Sequence, residues 1–179
     1  LGTLARISEE NGSSCFISTG DRDSLQLISD NVTVRLATTK ETIIYDKERF
    51  TADYGFPPIN LIDLKALMGD SSDNISGVPG IGEKTASALI GKYLTIENIY
   101  ADLDAVECTK SVRTKLESGR SAAENSKFLA TIVKNAPISQ NLSDYKIGSG
   151  DPEKLAQILT DMEMFKLLEK LSLKPSAAP

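Results

Sequence analysis

Two carboxylates three residues apart, Asp70 and Asp73, stand just upstream of the glycine-rich run Gly77-Val78-Pro79-Gly80-Ile81-Gly82-Glu83-Lys84-Thr85-Ala86. Paired carboxylates suit a hard divalent cation, which takes oxygen ligands and keeps water in the rest of its shell. A glycine-rich turn that opens a helix offers backbone N–H groups and the positive end of the helix dipole to a phosphate. Together these chemistries point to nucleic acid and to phosphodiester chemistry. A second acidic pair, Asp21 and Asp23, follows the apolar run Cys15-Phe16-Ile17-Ser18-Thr19. Residues two apart in an extended segment project to one side, and α/β sheets place ligands at the C-terminal ends of their strands. Either pair alone would serve equally as turn and helix caps. Jointly they supply the oxygen set for Mg²⁺ that neither provides by itself.

Within the glycine run, Gly80 and Gly82 permit positive φ and a close approach of phosphate to the backbone. Lys84 adds an ammonium and Thr85 a hydroxyl, while Ala86, Leu89 and Ile90 set the apolar face of the following helix. A tight turn between packed helices would use the same glycines for geometry alone. The whole pattern favours a helix-hairpin-helix that grips DNA phosphates, with binding that is sequence-independent and salt-sensitive.

The elements that must position these residues follow from periodicity and punctuation. Cys15–Thr19 predicts a buried strand, with Cys15 a buried thiol; 32–36 predicts a second strand and Thr42–Tyr45 a third that closes a hairpin. Residues 24–28 predict a short helix capped by Asp23. Lys47–Tyr54 predicts a helix stopped by Gly55 and the Pro57-Pro58 pair, and 59–68 another that stops at Gly69. Asp70 and Asp73 then share one side of a helical turn. Glu83–Tyr93, 96–103 and 112–134 complete a helical middle region. Asp151 and Pro152 start a final helix, whose stripe of Leu155, Ile158, Leu159, Met162, Phe165, Leu168 and Leu171 is expected to be core. The expected fold class is α/β: a partial sheet followed by a mostly helical region. Residues 1–68 would be the C-terminal part of the α/β core, 69–173 the DNA-binding helical region with its last helix packing back on the core, and 174–179 a linker.

Composition narrows the functional classes. The 179 residues hold no His and no Trp, which excludes His-based catalysis or ligation, and the two cysteines suit a reducing, cytoplasmic setting better than a disulfide framework. No apolar run is long enough to span a bilayer. The net charge of −5 argues against a general nucleic-acid coat, but residues 110–134 carry six basic residues against two acidic ones. Such a run reads first as a solvated helix face. The start at Leu1, inside a helical pattern, and the Pro- and Ala-rich end suggest a piece of a longer protein.

Thr19-Gly20-Asp21-Arg22-Asp23 with Gln26-Leu27, then Gly69-Asp70-Ser71-Ser72-Asp73-Asn74 and the glycine run, resemble the 5′-nuclease (flap endonuclease) family across essentially the whole chain. The likeness is greatest to the branch that forms the N-terminal 5′→3′ exonuclease domain of a bacterial DNA polymerase. It implies two-metal hydrolysis of a phosphodiester by two Mg²⁺ (or Mn²⁺) ions, with Asp21, Asp23, Asp70 and Asp73 as ligands of the second metal. It implies a helix-three-turn-helix that holds duplex DNA through Gly80, Gly82, Lys84 and Thr85, and a K⁺ on the backbone of Gly77, Val78 and Ile81. The implied partners are double-stranded and branched or flap DNA in the bacterial nucleoid, an N-terminal part of the same domain and a polymerase portion. The family's other metal carboxylates precede the segment that Leu1-Gly2-Thr3-Leu4-Ala5 resembles. This piece alone is therefore expected to bind duplex DNA weakly and not to cleave it. A non-catalytic helix-hairpin-helix module and a stand-alone 5′-nuclease remain the alternative readings.

Overall fold

Val32, Val34 and Leu36 alternate with Thr33, Arg35 and Ala37, a period of two that gives a strand one apolar face. The computed structural model describes residues 1–174. It places this strand, β2 (Val32–Ala37), at the centre of a three-stranded sheet between β1 (Cys15–Thr19) and β3 (Thr42–Tyr45). β1 and β2 run parallel, with Ile17 opposite Val34, while β2 and β3 form the expected hairpin, with Arg35 opposite Ile44. Its turn is closed by Thr38, whose N–H donates to the Glu41 carbonyl at 2.8 Å.

Parallel pairing requires a crossover. Here it is a 3₁₀ helix, Arg22–Leu27, that carries Asp21 and Asp23 at its start. The expected cap shifts by two residues. Asp21, not Asp23, is the N-cap, and its carboxylate accepts the Asp23 N–H at 2.9 Å. A carboxylate reaches the N–H two residues on, so the earlier aspartate captures it.

One face of the sheet is core: Ile17, Val32, Val34, Leu36 and Tyr45 are buried against Leu25, Leu27, Phe50 and Phe56. On the other face Phe16 is 65% and Ile44 56% exposed. The first strand is thus half-buried rather than buried, and Cys15 is only partly covered.

Helices α1 (Gly2–Glu10), α2 (Lys47–Tyr54), α3 (Leu61–Met68), α4 (Glu83–Tyr93), α5 (Ile96–Ala101) and α6 (Lys110–Ala130) complete a compact unit spanning residues 1–140. α3 is buried along nearly its whole length and packs on both α4 and α6. Asp63, only 1% exposed, ties three of them together. It accepts the Ile96 N–H at 3.0 Å and the Lys127 ammonium at 2.7 Å, while Lys127 also reaches Glu97. Other cations of the basic run are similarly engaged: Arg113 pairs with Asp104, Arg120 with Glu124, and Lys115 donates to the Gly80 carbonyl. The run is a set of packing contacts as much as a solvated face.

The residues from Asn141 form a second compact unit. Its expected single helix is two, α7 (Pro152–Asp161) and α8 (Phe165–Lys170). Glu163 adopts φ 56°, the Met164 N–H donates to Leu159 and the Glu163 N–H to Thr160. That bond pair is a left-handed helix stop, here without its usual glycine. The break removes the continuous stripe: Ala156, Leu159 and Leu168 are buried, whereas Leu155, Ile158, Met162, Phe165 and Leu171 are exposed. The expected linker lies outside the described residues, apart from Lys174. No helix among those residues is long and apolar enough to cross a membrane.

Candidate metal centre and phosphate-binding hairpin

The chain between α3 and α4 makes two tight turns. Asp70 and Ile75 exchange both backbone hydrogen bonds at 2.8 Å, closing a loop over residues 71–74 in which Asn74 takes φ 57°. Asp70 and Asp73 therefore share one side of a bridged turn, not of a helical one. The Ile75 bridge turns the chain back towards α3, where the Val78 N–H donates to the Leu67 carbonyl at 2.8 Å. Gly69 and Gly77 meet at this crossing, and a Cβ on Gly77 would lie 2.2 Å from the Gly69 nitrogen. The second turn runs through Gly80 at φ 79° to Gly82, the N-cap of α4, which has no side-chain cap.

Folding brings Asp23, in the first turn of the 3₁₀ helix that follows β1, to Asp70 and Asp73. One carboxylate oxygen from each lies within 4.8 Å of the other two. Asp21 is outside this trio. It lines the same cleft, but one of its carboxylate oxygens is held by the Asp23 N–H. The cleft encloses about 420 Å³; its lining is polar at Gly20 to Asp23, Lys65, Asp70, Ser72 and Asp73, and apolar or aromatic at Tyr54, Leu61, Leu64 and Met68. Glu83, first residue of α4, also lines it. Lys84 and Thr85, the next two residues, line a different groove. The hairpin helix thus contributes to two recesses from consecutive positions.

Lys65 is the member of this site that the sequence patterns did not single out. Its side chain is 7% exposed, and its ammonium bonds to Asp23 and, at 2.6 Å, to Asp70. The Lys65 hydrogen bond, with a lesser one from the Ser72 hydroxyl, pulls the Asp70 carboxyl down to about 2. A signal was present: Lys65, like Asp63, falls inside the mostly apolar run 61–68 just before Asp70, and a buried lysine requires a paired carboxylate.

Three carboxylates and one ammonium leave a net charge of −2, and every free donor is oxygen. That set fits a hard divalent cation such as Mg²⁺ or Mn²⁺ and offers nothing to a soft, sulfur-seeking one.

Residues 56–153 match the family model for the 5′-3′ exonuclease, C-terminal SAM fold. DNA polymerase I of Caldicellulosiruptor bescii is 40% identical over 177 residues, which is 97% of this chain and 21% of that protein. The chain spans about a fifth of the length of the curated relatives it matches. A structure of T5 5′-exonuclease with divalent zinc bound superposes with a TM-score of 0.61 at 24% identity, covering 72% of this chain and 48% of that one. The catalytic core of Rad2, solved in complex with a DNA substrate, gives a TM-score of 0.59 at 18% identity over 89% of this chain and 56% of that one. At those identities the two structures establish a shared fold.

Proposed function

Because the chain belongs to the 5′-3′ exonuclease family, the one present in DNA polymerase I, we propose that it forms the downstream part of a flap-cleaving 5′-nuclease and acts on branched and duplex DNA in the bacterial cytoplasm during primer removal and repair. The observation that carries this reading is the meeting of Asp23, Asp70 and Asp73 in a cleft that α4, the helix opened by the glycine hairpin, also lines. Asp21 completes the acidic side.

When bound, two divalent ions would supply Lewis acidity and an activated water for phosphodiester hydrolysis. The residues here do the positioning. Asp23, Asp70 and Asp73 offer ligand oxygens for one of the two ions, Lys65 fixes the orientation of two of those carboxylates, and the apolar side excludes water. Gly80, Gly82, Lys84 and Thr85 hold the duplex by its backbone, through the uncapped first turn of α4. A K⁺ on the carbonyls of Gly77, Val78 and Ile81 belongs to the same reading; the Val78 carbonyl accepts the Ile81 N–H at 3.0 Å and keeps a second lone pair. The exposed sheet face of Phe16 and Ile44 suits cover by an upstream part of the same domain, which would bring the remaining metal ligands. A polymerase portion downstream completes the protein.

The test is flap cleavage with Mg²⁺ by the intact gene product, by its Asp70→Asn/Asp73→Asn variant and by the 179-residue chain alone. Cleavage is expected from the first only. Undiminished cleavage by the double-asparagine variant would place catalysis outside this chain and leave it a DNA-binding module, with the aspartates as caps.

The hairpin makes its own prediction. A Cβ on Gly82 meets nothing within 4 Å and the residue needs no positive φ. Gly82→Ala should therefore unfold within about 1 kcal/mol of the parent, yet weaken duplex DNA binding several-fold at low salt, because the open space is where a phosphate would approach. Unchanged binding in a fluorescence titration would remove Gly82 from the DNA contact.

A further inference from the structure

The apolar side of the acidic cleft has a built feature that metal and phosphate chemistry leave unused. Tyr54 is stacked on Phe50 with ring centroids 4.2 Å apart and planes 4° from parallel. Phe56 stands 6.0 Å from both rings, and Tyr45 stands 6.5 Å from both. A ring equidistant from two stacked rings lies beside the stack, midway between their planes. Tyr45 and Phe56 therefore brace the edges of the pair, and neither covers the face of Tyr54 that points away from Phe50. Phe50 is fully buried, whereas Tyr54 is half-buried and lines the same cleft as Leu61, Leu64, Met68 and the carboxylates. The result is a rigid aromatic platform at the cleft, held from behind and from two sides.

We propose that Tyr54 is a nucleobase-stacking residue, receiving the base next to the phosphate that the carboxylate side handles, with the sugar against Met68. The proposal rests on the nuclease reading and specifies how its substrate is seated. The cleft volume of about 420 Å³ is within the range of small-ligand sites and has room for a nucleotide unit. Every base has a π-face, so stacking orients the strand without selecting sequence, and the preset ring loses little freedom on binding. A base can reach this face only when it is terminal or unstacked from one neighbour, so the platform favours strand ends and junctions over continuous duplex.

The experiment is a double cycle under single-turnover conditions with Mg²⁺, using the intact gene product. It combines Tyr54→Leu and Tyr54→Phe with substrates abasic at the nucleotide on either side of the cut. Tyr54→Phe is expected to cleave normal DNA like the parent, and Tyr54→Leu roughly ten- to a hundredfold more slowly at subsaturating protein. For one abasic position the parent should fall by a similar factor and the Tyr54→Leu penalty should vanish. Additive losses at both positions, or no loss in Tyr54→Leu, would overturn the proposal. So would a parent indifferent to both abasic substrates, which requires no variant to fold. Absence of metal-dependent cleavage by the parent would overturn the nuclease reading and this proposal together; cleavage indifferent to the ring overturns only the latter.

Discussion

Replacing Lys65 by methionine is expected to lower unfolding stability at pH 7 by about 3 kcal/mol in metal-free buffer, and Mg²⁺ should recover much of that loss. The methylenes of Met occupy nearly the same space along the buried helix α3, so the packing change is small. The charge change is not. Asp23 and Asp70 are 19% and 17% exposed at their side chains, and both rest on the 7%-exposed Lys65 ammonium. Removing one partner of such a group strands the others in a partly dry site beside a third carboxylate, Asp73, at a typical cost of 3–5 kcal/mol, lessened here by the open side of the cleft. A divalent ion that binds only the folded trio stabilises it by mass action, and it has most to offer where the ammonium is missing.

The same pair sets a pH window. The Asp70 carboxyl is depressed from an ordinary value near 3.8 to about 2, chiefly by Lys65. A depressed carboxyl contributes stability above its unfolded value and loses that contribution as pH falls through the folded one. The gap between parent and Lys65→Met should therefore be wide at pH 7 and close between roughly pH 4 and pH 2. Urea unfolding of both proteins across that range, with and without Mg²⁺, reads both effects. A gap absent at pH 7, or unchanged at pH 2, would mean that Lys65 does not pair as described.

Gly77→Ala should be at least as damaging. The added Cβ would fall 2.2 Å from the Gly69 nitrogen and 2.6 Å from the Met68 carbonyl carbon, and both are backbone atoms that cannot swing aside. Gly77 also sits at φ 64°, where an L-residue is disfavoured by roughly 1–2 kcal/mol. Overpacking of this kind costs a further 1–3 kcal/mol or so, for a total of about 2–5 kcal/mol. The site suffers beyond its share of stability, since the crossing of Gly69 and Gly77 fixes the loop that carries Asp70 and Asp73. A displacement of about 1 Å at a reacting centre can cost on the order of a hundredfold. The intact protein carrying Gly77→Ala is thus expected to lose a hundredfold or more in cleavage, even at temperatures where circular dichroism shows it folded. Gly82→Ala, with no neighbour to strike, is the matched control for stability, and its cleavage should fall only by the several-fold expected from weaker DNA binding. Equal behaviour of the two variants would refute the account.

Local pattern determined much of this molecule. Short β-prone apolar runs marked the three strands, proline and glycine marked where α2 and α3 stop, and residue types alone singled out Asp21, Asp23, Asp70, Asp73 and the hairpin that follows as candidates. These are short-range properties, set by side-chain period, φ preference and ligand chemistry. Tertiary structure decided the rest, because long-range contacts have no local signature. It chose which carboxylates meet, leaving Asp21 at the edge as a cap, and put Lys65 between two of them across 42 residues. It turned the basic run towards Asp63, Gly80 and Asp104, broke the last helix at Glu163, and left Phe16 and Ile44 uncovered. A residue's spacing says what it could do beside the right neighbour; only packing supplies the neighbour, and with it the charge balance and dryness that decide the chemistry.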